Sequence, residues 1–394
     1  MAAPPALIAG WARSPIAPHG GAFRNLTPHE IGAPVVRALL DRARISARAV
    51  DAVVVGNALG AGGNPARLVA LAAGLPEATP AFTVDTQCCA GLDAVSLAVG
   101  LLASGQAQVV IAGGVEAWSR APIRQHRPYR AGEAPMAYER PAFTPFPERD
   151  PDMLVSAAVY ALANGHTRVE QDAYALGSHK RALARQGEIA AEIVPIAGVA
   201  HDPYPRELSS ERAARLPAAI KMPEPCGDGA GLLPHRPDCS MGMLAVSPRA
   251  DGAAFILLAT PAACDRLGLL PRAEWVGSAS VGMSPETPLV AAQKAARRVL
   301  ERAGMRIDQL WAIELHDAFA VQGLAFCQAM SLGADRLNRR GGGLARGHPI
   351  GASGAVALVR VLADLAQDGV PPDAGLAAVA GAGGIGAAAL VRRC

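Results

Sequence analysis

Two segments of the chain carry residue types that can serve as a nucleophile and its base. In VDTQCCAGLDAV at 84–95, Cys88 follows a strand-like apolar stretch and opens a helical one. At a helix start, free backbone N–H groups and the macrodipole favour a thiolate. The small Ala90 and Gly91 leave room there for a substrate carbonyl. A buried pair, Cys88 with Cys89, accounts for the same letters without chemistry. In GGGLARGHPIGASG at 341–354, His348 sits in a Gly-dense turn ahead of another helical stretch. Such glycines permit close approach of a ligand to the backbone, and Pro349 stiffens the turn. The plain alternative is a glycine-rich loop with a surface histidine. Brought together, Cys88 and His348 would form a nucleophile and its base.

Other segments are weaker. IELHDAFA at 313–320 reads as a strand entering a polar turn. His316 is there either a donor beside a reacting oxygen or a histidine satisfied within its own turn. GAGGIG at 381–386 satisfies a dinucleotide-binding pattern, but only eight residues follow. That leaves no helix, second strand or acidic ribose partner. The cysteines and histidines show no metal-ligand spacing, so no metal is expected.

These residues need elements to hold them. Apolar strand-like stretches at 6–12, 49–57, 79–85 and 107–116 alternate with helical patterns at 28–43 and 91–104. The class is therefore α/β, a sheet covered by helices on both sides. The alternation breaks across 119–248, where clusters such as ERPAFTPFPERDPDM and PEPCGDGAGLLPHRPDC surround helical stretches at 151–164 and 169–186. A structureless loop of that length is improbable, so an inserted loop domain is expected. A repeat is also visible. CCAGLDAVSLAVGLLASG followed by AQVVIAGGVEA matches GASGAVALVRVLADLAQ followed by AGLAAVAGAGGIGAA. Each is a small-residue turn, a helix and a strand ending in glycines, which places Cys88 and His348 near a pseudo-twofold interface.

Composition agrees with a large buried core. Of 394 residues, 51% are hydrophobic and 18% charged, while aromatics reach only 4%, so Ala, Val and Leu build the interior. A net charge of +3 supplies no field for nucleic acid or an anionic membrane. No apolar run is long enough for a bilayer, and the start lacks a secretory pattern. Seven cysteines without C-x-x-C spacing fit a reducing, cytoplasmic compartment.

Taken in order, RSPIAPHGGAF at 13–23, GNALGAGGNPARLVALAAGLP at 56–76, CCAGL, GGVEAWS at 113–119, HDAFA and GHPIGASG at 347–354 resemble the fingerprints of the thiolase superfamily along essentially the whole chain. The resemblance implies two duplicated, five-layered α/β halves with helices between and around mixed sheets. It divides the chain into an N-terminal half at 1–118, completed by about 249–270, the inserted domain at 119–248 and a C-terminal half at 271–394. It makes Cys88 the residue that takes an acyl group from an acyl-CoA, and His348 the histidine that activates it. His316 stands where many members have an asparagine that positions a water. The backbone N–H groups of Cys88 and Ala382 become donors to the thioester oxygen. Ser247, in AVSPRADGAA at 245–254, matches a contact to coenzyme A, and Phe319 an aromatic beside the pantetheine arm. Coenzyme A thioester is thus a substrate, with no tightly bound cofactor, and a homodimer or homotetramer is implied. RAPIRQHRPYR at 120–130 is a CoA-phosphate contact, a tetramer contact or a solvated basic loop, and Trp118 hints at a restricted pocket.

The chain departs from the family at one position. Aligning the last glycines puts Ala380 where thiolases carry a second cysteine, which moves protons in condensation and cleavage. The alternative cysteine of sterol-carrier-type members is Ala318 here. A methyl group transfers no protons. Cys89 is a poor substitute, because neighbouring side chains at a helix start diverge by about 100°. An acyltransferase working through acyl-Cys88 follows, with an unknown acceptor. Ordinary thiolase activity with another base, and a non-catalytic CoA-binding subunit, are the alternatives.

Overall fold

The computed structural model describes residues 5–220, 238–367, 369 and 373–394. The Pro- and Gly-rich stretch read at 223–239 lies outside this range up to residue 237. The chain begins with β1 (Leu7–Arg13), the two-residue β2 (Ala17–Pro18) and α1 (Pro28–Ala43). α1 starts at a capping box of Thr27 with Glu30, has Pro28 in its first turn, and ends where Arg44 turns left-handed. Next come β3 (Ala52–Gly56), α2 (Pro65–Ala72), β4 (Ala81–Val84), α3 (Ala90–Ala103) and β5 (Val109–Ala117).

The irregular stretch is not structureless. It forms a hairpin of β6 (Arg124–His126) and β7 (Met136–Tyr138), then α4 (Met153–Ala163) and α5 (Arg168–Ala184). The short α6 (Gln186–Ile189), α7 (Ser210–Ala214) and a ribbon of β8 (Ala218–Ile220) with β9 (Met241–Gly242) follow. Regular alternation resumes with β10 (Ala250–Ala259) and α8 (Pro261–Leu267). The remainder is β11 (Ala273–Gly282), α9 (Ala291–Ala303), β12 (Ala312–His316) and α10 (Ala320–Met330), then α11 (Gly343–Arg346), α12 (Ser353–Leu365), β13 (Ala374–Gly381) and β14 (Ile385–Arg393).

Strand pairing repeats between the halves. In the first, β4, β3 and β5 are parallel neighbours, and β10 and β1 continue the sheet antiparallel. In the second, β12 and β13 are parallel, then β14 and β11 antiparallel. The two sheets join at one short antiparallel contact, Leu7 opposite Glu274 and Ile8 opposite Ala273.

The layering differs from the expectation of five layers in each half. α1 and α2 cover the outer face of the first sheet, and α9, with α10 packed on it, covers that of the second. α3 and α12 pack against each other and against the inner faces of both sheets. Five layers therefore serve the whole molecule, because the two inner helices are shared. The central strands are buried on both faces. Along β10, Ala253, Phe255 and Leu257 join the outer cluster, and Ala254, Ile256 and Leu258 the inner one. Successive side chains point to opposite faces, so a strand buried on both must be apolar throughout.

Buried ions tie the irregular stretch to this frame. Arg13 at the end of β1 donates to Glu192 at 2.6 Å and Asp202 at 2.8 Å, and Arg360 on α12 pairs with Glu192 and with Asp364 at 3.0 Å. Removing one member of such a buried set leaves an uncompensated charge, which typically costs about 3–5 kcal/mol.

Candidate active site

The turn between β4 and α3 presents Cys88. Gln87 takes a left-handed backbone with φ of 54°, its N–H held by Asp85 at 2.9 Å. A non-glycine residue there stores strain of order ~1–3 kcal/mol, so the surroundings must hold the turn. They do so through Asp93 on α3, whose carboxylate accepts from Thr86 at 2.6 Å and from Ser280 on β11 at 2.5 Å. The first half's turn is thereby fastened to the second half's sheet.

Cys88 and His348, 260 residues apart, meet at 3.2 Å between Sγ and Nε2. The backbone N–H groups of Cys88 and Ala382 also point at the sulfur. Ala382 lies in the turn from β13 to β14, where Gly383 and Gly384 have φ near +80°. The apparent dinucleotide motif is this hairpin turn, which carries the Ala382 N–H.

Burial reverses one expectation. The Cys88 sulfur is enclosed, and desolvation pushes its thiol up to about 12 despite the two N–H donors. The resting residue is a thiol and not the thiolate expected at a helix start. His348 is buried as well and is pushed down to about 4. The pair rests as neutral thiol and neutral imidazole.

The network sets the tautomer of that imidazole. Ser353, first residue of α12, donates its hydroxyl to the Pro349 carbonyl at 3.1 Å, so its oxygen accepts from His348 Nδ1 at 2.7 Å. Nε2 is then left with a lone pair facing the thiol, the arrangement a general base requires. The His348 backbone is fixed too. Its N–H donates to Pro248 at 2.7 Å, and its carbonyl accepts from the Trp118 indole at 3.0 Å. Trp118, read as a hint of pocket size, thus helps hold the His348 backbone.

His316 ends β12 and stacks on His348, with ring centroids 4.3 Å apart. Burial and the neighbouring ring hold it well below its ordinary value. Its Nε2 is buried and has no partner among the described residues, so it is not satisfied within its own turn. Asp317 beside it accepts from Gly343 N–H at 2.5 Å and Tyr174 at 3.0 Å.

Several glycines let parts of the protein approach one another. A Cβ at Gly91 would sit 2.7 Å from the Gly351 carbonyl, and one at Gly343 would sit 2.7 Å from the His316 ring. Close approach is needed between α3 and the start of α12, and between the two histidine-bearing turns.

Ser247 and Phe319 lie side by side through a bridge between Val246 and Phe319. The Ser247 hydroxyl donates to Gly343 at 2.7 Å, leaving only its lone pairs for another group. Ala380 and Ala318 both pack in the outer cluster of the second half, with Phe319. The Cys89 sulfur points to the Val379 carbonyl at 3.6 Å. In the basic run, Arg124 donates to the Leu59 carbonyl at 3.1 Å, while Ile123 and Tyr129 are exposed.

Sequence reasoning missed Glu116. Its carboxylate is fully buried and accepts from Asn57 at 2.7 Å, Ala58 N–H at 2.9 Å and Gly351 N–H at 3.0 Å. It thus joins the end of β5 to the loop after His348. Burial raises it to about 7. The signal was present: one acid ends an otherwise apolar strand. Ser353 gave no comparable signal, since a serine at a helix start is ordinary capping material. Among the described residues no cluster of acidic, histidine or cysteine side chains could hold a metal ion.

Comparison with known proteins agrees along the chain. The family model for the thiolase N-terminal domain matches residues 6–221, and that for the thiolase C-terminal domain matches residues 269–393. An acetyl-CoA acetyltransferase of Rhizobium meliloti is 34% identical over 411 aligned positions, covering 100% of both chains. One from Pseudomonas aeruginosa is 34% identical, covering 98% of this chain and 99% of its own. The crystal structure of the Bacillus anthracis acetyl-CoA acetyltransferase superposes with a TM-score of 0.89 at 29% identity, over all of both chains. That of Acat5 thiolase from Ascaris suum in complex with coenzyme A gives 0.86 at 27%, over 99% of this chain and 100% of its own.

Proposed function

The chain belongs to the thiolase family, and from that premise we propose that it is an acyl-CoA acyltransferase working through an acyl thioester on Cys88. The observation that carries this is the 3.2 Å contact between the Cys88 thiol and a His348 imidazole whose bare nitrogen faces it. In the first half-reaction Nε2 takes the thiol proton as sulfur attacks the acyl carbon. The oxyanion that develops is received by the Cys88 and Ala382 N–H groups. Collapse expels the CoA thiolate, which recovers the proton from His348. A neutral pair suits this sequence, because the proton moves only as the carbon–sulfur bond forms. His316 is a further donor beside the same oxygen.

Coenzyme A thioester is the donor substrate, running past Ser247 and Phe319. This part rests on the resemblance, on the position of both residues beside the His316 turn, and on relatives that are named for acetyl-CoA or seen with coenzyme A. No tightly bound cofactor takes part. Condensation and thiolysis of the ordinary kind are impaired, because Ala380 and Ala318 leave the second proton carrier out. We also read residues 119–248 as an inserted loop domain, and the working form as a homodimer or homotetramer in the cytoplasm. No helix among the described residues is long and apolar enough to cross a membrane.

The test is intact mass after incubation with acetyl-CoA. One acetyl group should appear and map to Cys88. A chain that binds coenzyme A but gains no adduct is a CoA-binding subunit, and the reading falls.

A further inference from the structure

Resting on the acyl-Cys88 reading above, we propose that the buried ion pair of Glu314 with Arg346 positions His316, holding its ring in register against His348 and so setting the rate at which Cys88 is acylated. Two residues before each histidine stands a charge, Glu314 ahead of His316 and Arg346 ahead of His348. The two charges meet, Arg346 Nη2 donating to Glu314 at 3.1 Å, just as the two rings stack with centroids 4.3 Å apart.

The strand and the turn are thus joined side by side. Along β12, Ile313 and Leu315 enter the outer cluster of the second half and Ala312 the inner one. Alternation then puts Glu314 and His316 together on the inner face. Arg346 ends α11, and only Gly347, with φ of 114°, separates it from His348. The guanidinium forks. Its Nη1 donates to the Gly341 carbonyl and closes the glycine-dense loop on itself, while Nη2 docks the closed loop on β12. A planar fork holds two acceptors at fixed directions, which an ammonium does not. Asp317 grips the first residue of α11 through the Gly343 N–H, and Arg346 fixes the last. Arg360 on α12 also acts on Glu314 through its charge, but it is bonded to Glu192 and Asp364.

Stability alone does not account for the pair. Glu314 and Arg346 are 1% and 2% exposed, and Glu314 Oε1 has no partner among the described residues. Burial raises the Glu314 carboxyl above its ordinary value even with Arg346 beside it. Apolar side chains of similar volume are often as stable as such a pair, or more so. What they lack is direction, since hydrophobic contact is non-directional and lets α11 slide along β12. His316 needs the direction most. Its Nε2 has no partner, whereas the His348 ring is anchored by Ser353. A misplacement of ~1 Å can cost about a hundredfold in rate, so a small slide is felt.

The experiment compares the full-length protein with the paired variant Glu314→Leu, Arg346→Met, by single-turnover acylation from acetyl-CoA and by thermal midpoint. The paired variant should melt within about 5 °C of wild type. It should load at about a tenth of the saturating rate, with half-saturation at an unchanged acetyl-CoA concentration. Adding His316→Ala to the pair should leave the rate within about threefold of His316→Ala alone, because the pair acts through that ring. Arg346→Lys, which keeps the charge and loses the fork, should fall between wild type and the paired variant. Loading of the paired variant at the wild-type rate overturns the inference while the acyl-enzyme stands. A slowdown that multiplies fully onto that of His316→Ala also overturns it, since the pair then acts elsewhere. A larger drop in the midpoint does the same, by making the pair a plain structural bridge. A wild type that never loads removes the underlying reading and this inference together.

Discussion

The turn ahead of α3 and the turn ahead of α12 occupy matching places in the two halves, yet they are built differently. The first is short and strained, and it delivers a sulfur. Outside its own turn it is held mainly by Asp93 reaching Thr86 and Ser280. The second is long and glycine-dense, and it delivers an imidazole held by Ser353, Pro248, Trp118 and, through Gly351, Glu116. The strand ends differ as well. β5 closes on the buried acid Glu116, whereas β13 closes on Ala380 and a hairpin that offers an N–H from Ala382. A nucleophile needs position and a donor for the oxygen it generates. A base needs position, ring orientation and tautomer. The duplicated frame supplied equivalent places, and the imidazole drew more supports than the thiol.

The largest effect that could break this contrast is at the sulfur. Cys88→Ala should abolish acyl labelling from acetyl-CoA while the thermal midpoint stays close to wild type, as read by intact mass and calorimetry. A stable adduct on the variant would move the nucleophile to another thiol. Next comes the base. His348→Ala should slow single-turnover acylation by about a hundredfold or more, the lower range for losing a general base. His316→Ala should cost less, and equal losses would erase the distinction between base and neighbouring donor.

The missing proton carrier comes third. Ala380→Cys should raise acetoacetyl-CoA thiolysis by about tenfold or more with little change in acylation. Wild-type thiolysis at about 10 s⁻¹, a typical turnover, would show another group supplying the transfer. Ser353→Ala should reduce acylation by several-fold, through kcat more than KM, because the ring loses its partner at Nδ1 and not its contact with substrate. Ser353→Thr should restore part of the rate.

The smallest effect is on stability. His348 and His179 are both held at about 4 in the folded protein, below the ordinary 6.5. Between those values the unfolded chain binds more protons than the folded one. Their contribution is present above about 6.5 and is lost as pH falls toward 4. Denaturant midpoints should decline across that window, and less steeply in His179→Phe.

Cys88 and His316 stand out in the sequence because each lies where an apolar strand pattern meets a turn or helix start, and His348 because it lies in a glycine-dense turn ahead of a helical stretch. The duplicated pattern placed two of those turns at equivalent positions. The α/β class was equally open to reading, since strands buried on both faces must be apolar throughout and so announce themselves. Sharing of α3 and α12 between two sheets was not legible, because an inner helix and an outer helix both read simply as apolar. Gly91 and Gly343 show the same limit. A glycine's letter says that something comes close, and only the fold says that it is a carbonyl or a ring of the protein itself. The protonation state of Cys88 was also beyond the letters. Helix-start N–H groups are local and argue for a thiolate, but desolvation depends on everything packed around the sulfur, and here it outweighs them. Residue type and local spacing determine which groups can react, while burial and long-range hydrogen bonds, which depend on segments hundreds of residues apart, decide the form in which they wait.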